Sequence, residues 1–276
     1  MLIGVRAHDF GSGTFAEFDG ILARIKATGY DAVQLAPAKS ITEIPSIAAL
    51  TEADVLRLKE MLDKHGIKVA VLGCYLDFTA TDAEVRAANV ELFKRYLGYA
   101  KLLDAQMVAT EASHGNFYHQ DSSQEYGWFV DCFREIVPSA EAAGVLVAVE
   151  PVIRHALDTP EKTKQFIDTF NSEYLKALYD PANLLMPDIA DQVDSMFTRA
   201  IDSFGDDIVA VQLKNFVVGD DKQVMCALGD GLIDLAEVIR WVAKHRPDAP
   251  LIREDPNGAD LRADYEFIVD TLAEAR

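Results

Sequence analysis

The sequence has 276 residues, half of them hydrophobic, and carries 45 acidic against 26 basic side chains, for a net charge of −19. Such a surface repels phosphate backbones and anionic headgroups, which argues against nucleic acid and membranes as partners, although a local basic site can still bind a sugar phosphate. The chain shows no run of the roughly 20 apolar residues that a membrane helix needs and no signal-peptide pattern at its start. We therefore expect a cytoplasmic protein.

Short apolar runs rich in Val, Ile and Leu recur along the whole chain, as in buried parallel strands. There are eight of them, at residues 2–5, 31–35, 67–72, 106–110, 145–149, 175–179, 207–213 and 250–254.

Helix signals separate these runs. The pattern of a capping box, in which a hydroxyl and a carboxylate three residues later satisfy free backbone amides, occurs three times, at 14–17, 81–84 and 122–125. Thr159 and Pro160 are typical of an N-cap and a first helical position. Glycine precedes several strands, where it can end a helix in the left-handed conformation.

A strand followed by a helix, repeated eight times, predicts parallel strands with crossover helices. In a chain of this length we expect α/β architecture: a single (β/α)₈ TIM barrel that forms one domain over residues 1–276. The alternative is a doubly wound open sheet, which usually carries a glycine-rich phosphate loop after an early strand. The "GSG" at 11–13 lacks the rest of that pattern.

Several of the predicted strands end in a carboxylate: Glu111, Glu150, Asp180 and Glu254. Barrel active sites form at these C-terminal ends. Converging carboxylates repel one another, and a divalent cation with oxygen ligands removes that cost. Any one of them could be an ordinary polar strand end. The set Glu150, Asp180 and Glu254 predicts a metal site, with Glu111 beside it or in contact with substrate.

Five segments resemble the sugar isomerase/epimerase superfamily, the xylose isomerase-like barrels that include ketose 3-epimerases, inosose dehydratase and hydroxypyruvate isomerase. They are "VAVEP", "LYDPANLL", "VAVQLKN", "ALGDGLIDLAEVIRWV" and "LIREDP", and the resemblance spans the chain.

The resemblance implies that Glu150, Asp180, Gln212 and Glu254 are the metal ligands. Gln212 stands where that family usually has histidine, and Asn215 stands where it usually has aspartate. A glutamine carbonyl is a neutral, hard ligand, so we expect Mn²⁺ or Mg²⁺ to be favoured, with Zn²⁺ and Co²⁺ as alternatives.

We expect substrate contacts at the predicted mouth from His8, Glu111, Arg154, His155 and Asn183. His8 and His155 follow strand ends, and Arg154 can bind a hydroxyl or carboxylate. Asn183 has a second interpretation, because asparagine after Asp-Pro-Ala can also stabilise a turn.

The favoured reaction is proton transfer next to the carbonyl of a sugar or keto-polyol, through an enediolate. Glu150 and Glu254 would act as general acid and base. Lys214 would supply positive charge near the developing oxyanion, or would form a salt bridge within the acidic cluster. Return of the proton to the same carbon gives epimerisation, and return to the neighbouring carbon gives isomerisation.

Alternatives remain at the level of the sequence. Loss of a hydroxyl would make the protein an inosose-type dehydratase. Gln212 and Asn215 also fit a non-catalytic sugar-binding barrel with a degraded metal site. DNA repair at a trinuclear zinc centre is disfavoured by the acidic charge and by Asn183 and Gln212 in place of histidines. The resemblance allows a homo-oligomer.

Overall fold

The computed structural model describes residues 1–275 of the chain; Arg276, the last residue of the predicted domain, lies outside them. Eight parallel strands form a closed barrel in the order β1-β10-β7-β6-β5-β4-β3-β2. Their bounds are β1 Ile3–Arg6, β2 Ala32–Leu35, β3 Lys68–Gly73, β4 Met107–Glu111, β5 Leu146–Glu150, β6 Leu175–Tyr179, β7 Ile208–Leu213 and β10 Leu251–Arg253. The predicted (β/α)₈ barrel is confirmed.

The helices lie outside the barrel and connect its strands. They are α1 Phe15–Thr28, α2 Pro37–Ser40, α3 Glu52–His65, α4 Ala83–Leu102, α5 Ser123–Ala143, α6 Pro160–Phe170, α7 Val193–Phe204, α8 Leu235–His245 and α9 Leu261–Glu274. Short 3₁₀ turns add 7–10, 47–49, 182–184, 187–192 and 205–207. Within residues 1–275, none of the helices is both long and apolar enough to cross a membrane.

The predicted helix starts are correct in two places and wrong in two. Thr14 forms a full capping box with Glu17, and Thr159 caps α6 through the backbone N–H of Lys162. The box at 81–84 is wrong because Asp82 caps α4 instead. The box at 122–125 is wrong because the hydroxyl of Ser122 caps nothing in residues 1–275. In both places the carboxylate of an aspartate one residue away accepts a backbone N–H instead: Asp82 accepts that of Glu84, and Asp121 accepts that of Ser123.

An antiparallel hairpin, which no pattern in the sequence had indicated, follows β7. It is formed by β8 Asn215–Gly219 and β9 Lys222–Cys226, outside the barrel. Val217 and Val224 pair across it with their side chains exposed. Its strands are short and half solvated, so they lack the fully apolar runs that mark the barrel strands.

Small residues fill the lower interior of the barrel. The interior cluster includes Ala32, Ala70, Ala109, Ala148 and Ala210, together with Val71, Met107, Leu178 and Ile252. Gly4 belongs to the same crowded region, since a Cβ there would lie 2.7 Å from Cδ1 of Ile252. Side chains alternate between the two faces of a strand, so the residue two positions after an interior alanine again points inward, closer to the C-terminal end.

Candidate active site at the C-terminal mouth of the barrel

Polar side chains fill the interior at the C-terminal ends of the strands, at the positions where the alternation of side chains along a strand makes them point inward. Glu150, Asp180, Gln212 and Glu254 follow Ala148, Leu178, Ala210 and Ile252 by two residues, and all four are buried. Glu111 lies directly beside Glu150 in the register of β4 and β5. The fold therefore brings the acidic strand ends, predicted as a set, to one region.

Glu254 is held by two cations. Arg6, at the end of β1, donates from Nη1 to Oε1 of Glu254 (2.6 Å), while its Nε and Nη2 bind Asp9. The Lys214 Nζ lies 3.8 Å from the same Oε1. The other oxygen, Oε2, is buried without a hydrogen-bond partner in residues 1–275. Burial alone would raise the pKa of Glu254, but Lys214 and Arg6 outweigh it and lower the pKa.

Asp180 is bound on both of its oxygens. Oδ1 accepts the backbone N–H groups of Ala182 (2.8 Å) and Asn183 (3.2 Å), and the ammonium of Lys214 lies 2.8 Å from Oδ2. Burial would lower the pKa of Lys214, but the charges of Asp180 and Glu254 outweigh it and raise the pKa. Lys214 is therefore a permanent cation between two of the carboxylates.

Glu150 differs from Glu254 in having no cation in contact with it among the described residues. The Nδ2 of Asn183 donates to its Oε1. Burial, followed by the charges of Glu111 and Glu254, raises the pKa of Glu150 well above its ordinary value. Glu150 thus holds a proton under conditions in which Glu254 is ionised. Environments that move the pKa values of two nearby carboxyl groups in opposite directions in this way are typical of general acid and base pairs.

A hydrogen-bond chain of three polar side chains crosses the interior of the barrel. Gln212 Nε2 donates to Oε1 of Gln34 in β2 (3.0 Å), and Gln34 Nε2 donates to the hydroxyl of Tyr75 (2.6 Å). Oε1 of Gln212 is buried and has no hydrogen-bond partner in residues 1–275. Gln212 is the predicted ligand that departs from the family pattern, and its carbonyl oxygen is free.

The rim of the mouth carries the other predicted substrate contacts. Nδ1 of His155 lies 3.4 Å from Oε2 of Glu111. Burial and the charge of Arg154 lower the pKa of His155 to about 4, and burial with Arg6 lowers the pKa of His8 to about 4. Both imidazoles are therefore neutral near pH 7 and can accept as well as donate. Arg154 is exposed.

Glu111 gives a first testable consequence. Burial and the charge of Glu254 raise its pKa to about 7. Between its ordinary value of 4.5 and about 7 the folded state binds more protons than the unfolded state, so stability falls as pH rises through that window. We expect Glu111→Gln to stabilise the metal-free protein at pH 7.5 by on the order of 1–2 kcal/mol, after discounting for partial exposure.

Urea unfolding of the wild type and Glu111→Gln at pH 4 and pH 7.5 measures this difference. At pH 4 the carboxyl is protonated in the folded state and largely so in the unfolded state, so the two proteins should agree. An equal difference at both pH values would assign the effect to packing and not to ionisation.

Asn215, the second departure from the family pattern, faces away from the carboxylates. Its Nδ2 donates to the carbonyls of Leu228 and Ile233, and its Oδ1 accepts from the backbone of Phe216 and Ile233. An aspartate has no N–H with which to make the first pair. Gly231 packs against this amide, where a Cβ would lie 2.1 Å from Oδ1. Asn215 therefore fixes the turn after β9.

The donor set that a divalent cation would meet consists of Glu150, Asp180, Gln212 and Glu254. Among residues 1–275, no three His, Cys, Asp or Glu side chains are arranged as a ready metal site. Three of the four predicted ligands, however, present a buried oxygen without a hydrogen-bond partner among these residues: Gln212 Oε1, Glu254 Oε2 and Asp180 Oδ2, the last of which faces the ammonium of Lys214. The five carboxyl groups of the mouth, Asp9, Glu111, Glu150, Asp180 and Glu254, outnumber its two paired cations, Arg6 and Lys214. Unpaired oxygens and residual negative charge fit a hard divalent cation.

A cavity of about 380 Å³ lies at the opposite end of the barrel. It is lined by Met107, Leu146, Lys176 and Arg246, among others. Lys176 and Arg246 are already paired with Asp207 and Asp206. Conserved chemistry in such barrels lies at the C-terminal end, so we assign the perturbed carboxyl groups, and not this cavity, to the candidate site.

Three side chains at the mouth were not among the predicted site residues: Arg6, Gln34 and Tyr75. Arg6 ends β1 and Gln34 is the last residue but one of β2, close to the strand ends where the predicted carboxylates lie, and that position was the available signal. Tyr75 lies two residues beyond β3, where the sequence offers no comparable mark.

Fold and site together define a closed (β/α)₈ barrel with buried acid and cation pairs at the C-terminal mouth. The model of the xylose isomerase-like TIM barrel family matches residues 22–271. The chain therefore belongs to that family, as the sequence motifs predicted. No curated protein matches the chain.

Solved structures agree on the fold. An L-ribulose 3-epimerase is 19% identical with a TM-score of 0.77, over 100% of this chain and 95% of that chain. A xylose isomerase-like TIM barrel protein from Mycobacterium smegmatis in complex with magnesium is 16% identical with a TM-score of 0.79, over 99% and 97%. The IOLI protein with a bound zinc is 17% identical with a TM-score of 0.70, over 100% and 98%. At these identities the likeness concerns the fold.

Proposed function

We propose that the protein is a sugar or keto-polyol isomerase or epimerase that transfers a proton at a carbon next to a carbonyl. One observation carries the proposal: Glu254 and Glu150 are both buried at the same mouth, Glu254 against Arg6 and Lys214 and Glu150 with no cation in contact among residues 1–275, and these surroundings displace their pKa values in opposite directions. Such a pair supplies a base and an acid at one pH. The family and the epimerase named among the structural neighbours support the substrate class.

Each side chain has a defined part in the proposed reaction. Glu254 removes the proton through Oε2, since Oε1 is occupied by Arg6. Glu150 returns a proton, and Asn183 orients its carboxyl group through Oε1. Lys214 stabilises the negative charge that develops on the substrate oxygen. In the reverse direction Glu150 and Glu254 exchange roles.

We further propose that Glu150, Asp180, Gln212 and Glu254 would hold a divalent cation, with Mn²⁺ or Mg²⁺ favoured over Zn²⁺ or Co²⁺. When bound, the cation would polarise the substrate carbonyl and stabilise negative charge on its oxygen. The oxygen-only donor set supports the harder ions.

At the rim, His8, Glu111, Arg154 and His155 would bind substrate hydroxyls, and Asn183 would act through Glu150. Neutral imidazoles suit hydroxyl groups, which donate and accept. We propose a cytoplasmic enzyme whose partner is a small molecule and neither nucleic acid nor membrane.

The salt bridges of Arg6 and Lys214 also favour a second candidate, a sugar-binding barrel without catalysis, because they neutralise Glu254 and Asp180 internally.

Incubation with a panel of ketoses, inososes and keto acids in deuterated water, with Mn²⁺ or with a chelator, separates these proposals. We expect deuterium at one carbon of one substrate, and a loss of about 100-fold or more when the cation is removed. Deuterium exchange that continues at the same rate in the presence of the chelator would contradict the proposed cation, but it would agree with the proposed proton transfer. Substrate-dependent thermal stabilisation without any exchange would favour the sugar-binding barrel.

A further inference from the structure

The hydrogen-bond chain Tyr75–Gln34–Gln212 joins parts of the barrel that are not neighbours. Gln34 lies in β2 and Gln212 in β7, and β1 and β10 stand between these strands in the barrel order. The amides therefore meet across the interior, where both are buried. A side-chain hydrogen bond across the barrel does not hold the strands of the sheet together. It fixes the orientation of the two amide side chains.

The direction of the chain follows from what each group can donate. A glutamine amide has one accepting end and one donating end, and rotation by half a turn exchanges them. The hydroxyl oxygen of Tyr75 accepts from Gln34 Nε2 at 2.6 Å, which leaves its hydrogen to donate elsewhere. The negative charges of Glu150, Glu254 and Glu111 act on this hydroxyl and favour a hydrogen directed toward them. Gln34 then presents Oε1 to Gln212, and Gln212 presents its own Oε1 to the mouth.

We propose that Tyr75 and Gln34 are positioning residues that aim the carbonyl oxygen of Gln212 at the divalent cation of the proposed site. This inference rests on the cation named in the proposed function. Without the chain, Gln212 could rotate and turn its Nε2 group inward, where it would donate to a carboxylate and repel a cation. The free, buried Oε1 of Gln212 is the atom that the arrangement leaves for the cation.

The energetic scale is that of groups that orient metal ligands. Loss of such a partner typically weakens metal affinity 10- to 100-fold. We expect Gln34→Met, which removes the acceptor for Gln212, to weaken Mn²⁺ binding about tenfold. Tyr75→Phe should weaken it in the same direction by a smaller factor, since Gln34 loses only the group that sets its direction. Gln34→Glu keeps the acceptor and should retain wild-type affinity or exceed it.

The test is a set of Mn²⁺ titrations of the whole chain, read by the paramagnetic resonance of free Mn²⁺, with the melting temperature recorded for every variant. Gln34→Met and Tyr75→Phe are each measured as single substitutions and again in combination with Gln212→Met. If both act through Gln212, their effects should disappear in that background, because coupled residues are not additive. Tyr99→Phe is the matched control: its buried hydroxyl donates to the carbonyl of Leu50, away from the mouth.

Three results would overturn the inference. They are unchanged Mn²⁺ affinity in both single variants, effects that persist at full size with Gln212→Met, and a wild type that binds no Mn²⁺. Deuterium exchange, measured on the same samples, keeps the two proposals separate. Exchange by a wild type that binds no Mn²⁺ would sink the positioning role alone, whereas coupled Mn²⁺ effects without exchange on any substrate would sink the proposed reaction alone.

Discussion

Replacing Glu254 by glutamine is expected to slow substrate deuterium exchange by about 10²–10⁴-fold, the usual contribution of a general base. The substitution keeps the shape of the side chain and its contact with Arg6, but it removes the basic lone pair of Oε2. Glu150→Gln should lose a similar factor, because an amide cannot return the proton. The measurement is the exchange rate by nuclear magnetic resonance, on the substrate identified from the panel.

Two controls bound this result. Glu173 is exposed at the opposite end of the barrel, and Glu173→Gln should exchange like the wild type. Urea unfolding must show that Glu254→Gln remains folded, since Arg6 loses one of its charged partners there and keeps Asp9. Exchange within threefold of the wild type in a folded Glu254→Gln protein would rule this residue out as the base.

Much of the fold could be predicted because its determinants are local. Each barrel strand is an apolar run, and the observed strands differ from the predicted runs by at most one residue at each end. Glycines 29, 66 and 144 end their helices in the left-handed conformation, as their positions before strands indicated. Parallel strands that are buried on both faces leave few other readings of such a pattern.

The acidic part of the site was visible for the same reason: a carboxylate that ends a buried strand stands out. The partners of those carboxylates were not visible, because they arise from closure of the barrel. Arg6 reaches Glu254 only because β1 lies beside β10, and Gln34 reaches Gln212 only across the interior. No spacing along the chain encodes either contact. Lys214 was predicted at the site, with two roles left open, and the structure places it between Asp180 and Glu254.

One further buried cation lies outside the mouth and holds in place the strand end that carries Glu254. Arg253, the residue before Glu254, is fully buried and donates from Nε to Oδ2 of Asp264 on α9 (2.7 Å). Its other nitrogens donate to the backbone carbonyls of Leu213, Cys226 and Glu254. A single guanidinium thus ties β10 to β7, the hairpin and α9. The inward direction of Glu254 depends on this outward anchor.

Asp264→Asn is therefore expected to destabilise the protein by about 3–5 kcal/mol, the cost of leaving one partner of a buried ion pair uncompensated. The amide can still accept one hydrogen bond, from Leu228 or from Arg253, but it cannot neutralise the guanidinium. Urea unfolding at pH 7.5 measures the loss. Glu161→Gln, in the exposed pair with Arg199, should cost less than 1 kcal/mol.

The double variant Arg253→Met/Asp264→Leu distinguishes a missing charge partner from a missing contact. It removes both charges and fills similar volume, so it should cost less than Asp264→Asn alone, since apolar replacement of a buried ion pair is often close to neutral. If the double variant is the less stable of the two, the backbone hydrogen bonds of Arg253, and not its charge, carry the stabilisation. In that case Asp264 serves chiefly to orient the guanidinium toward those carbonyls, and Glu254 should lose its position in both variants.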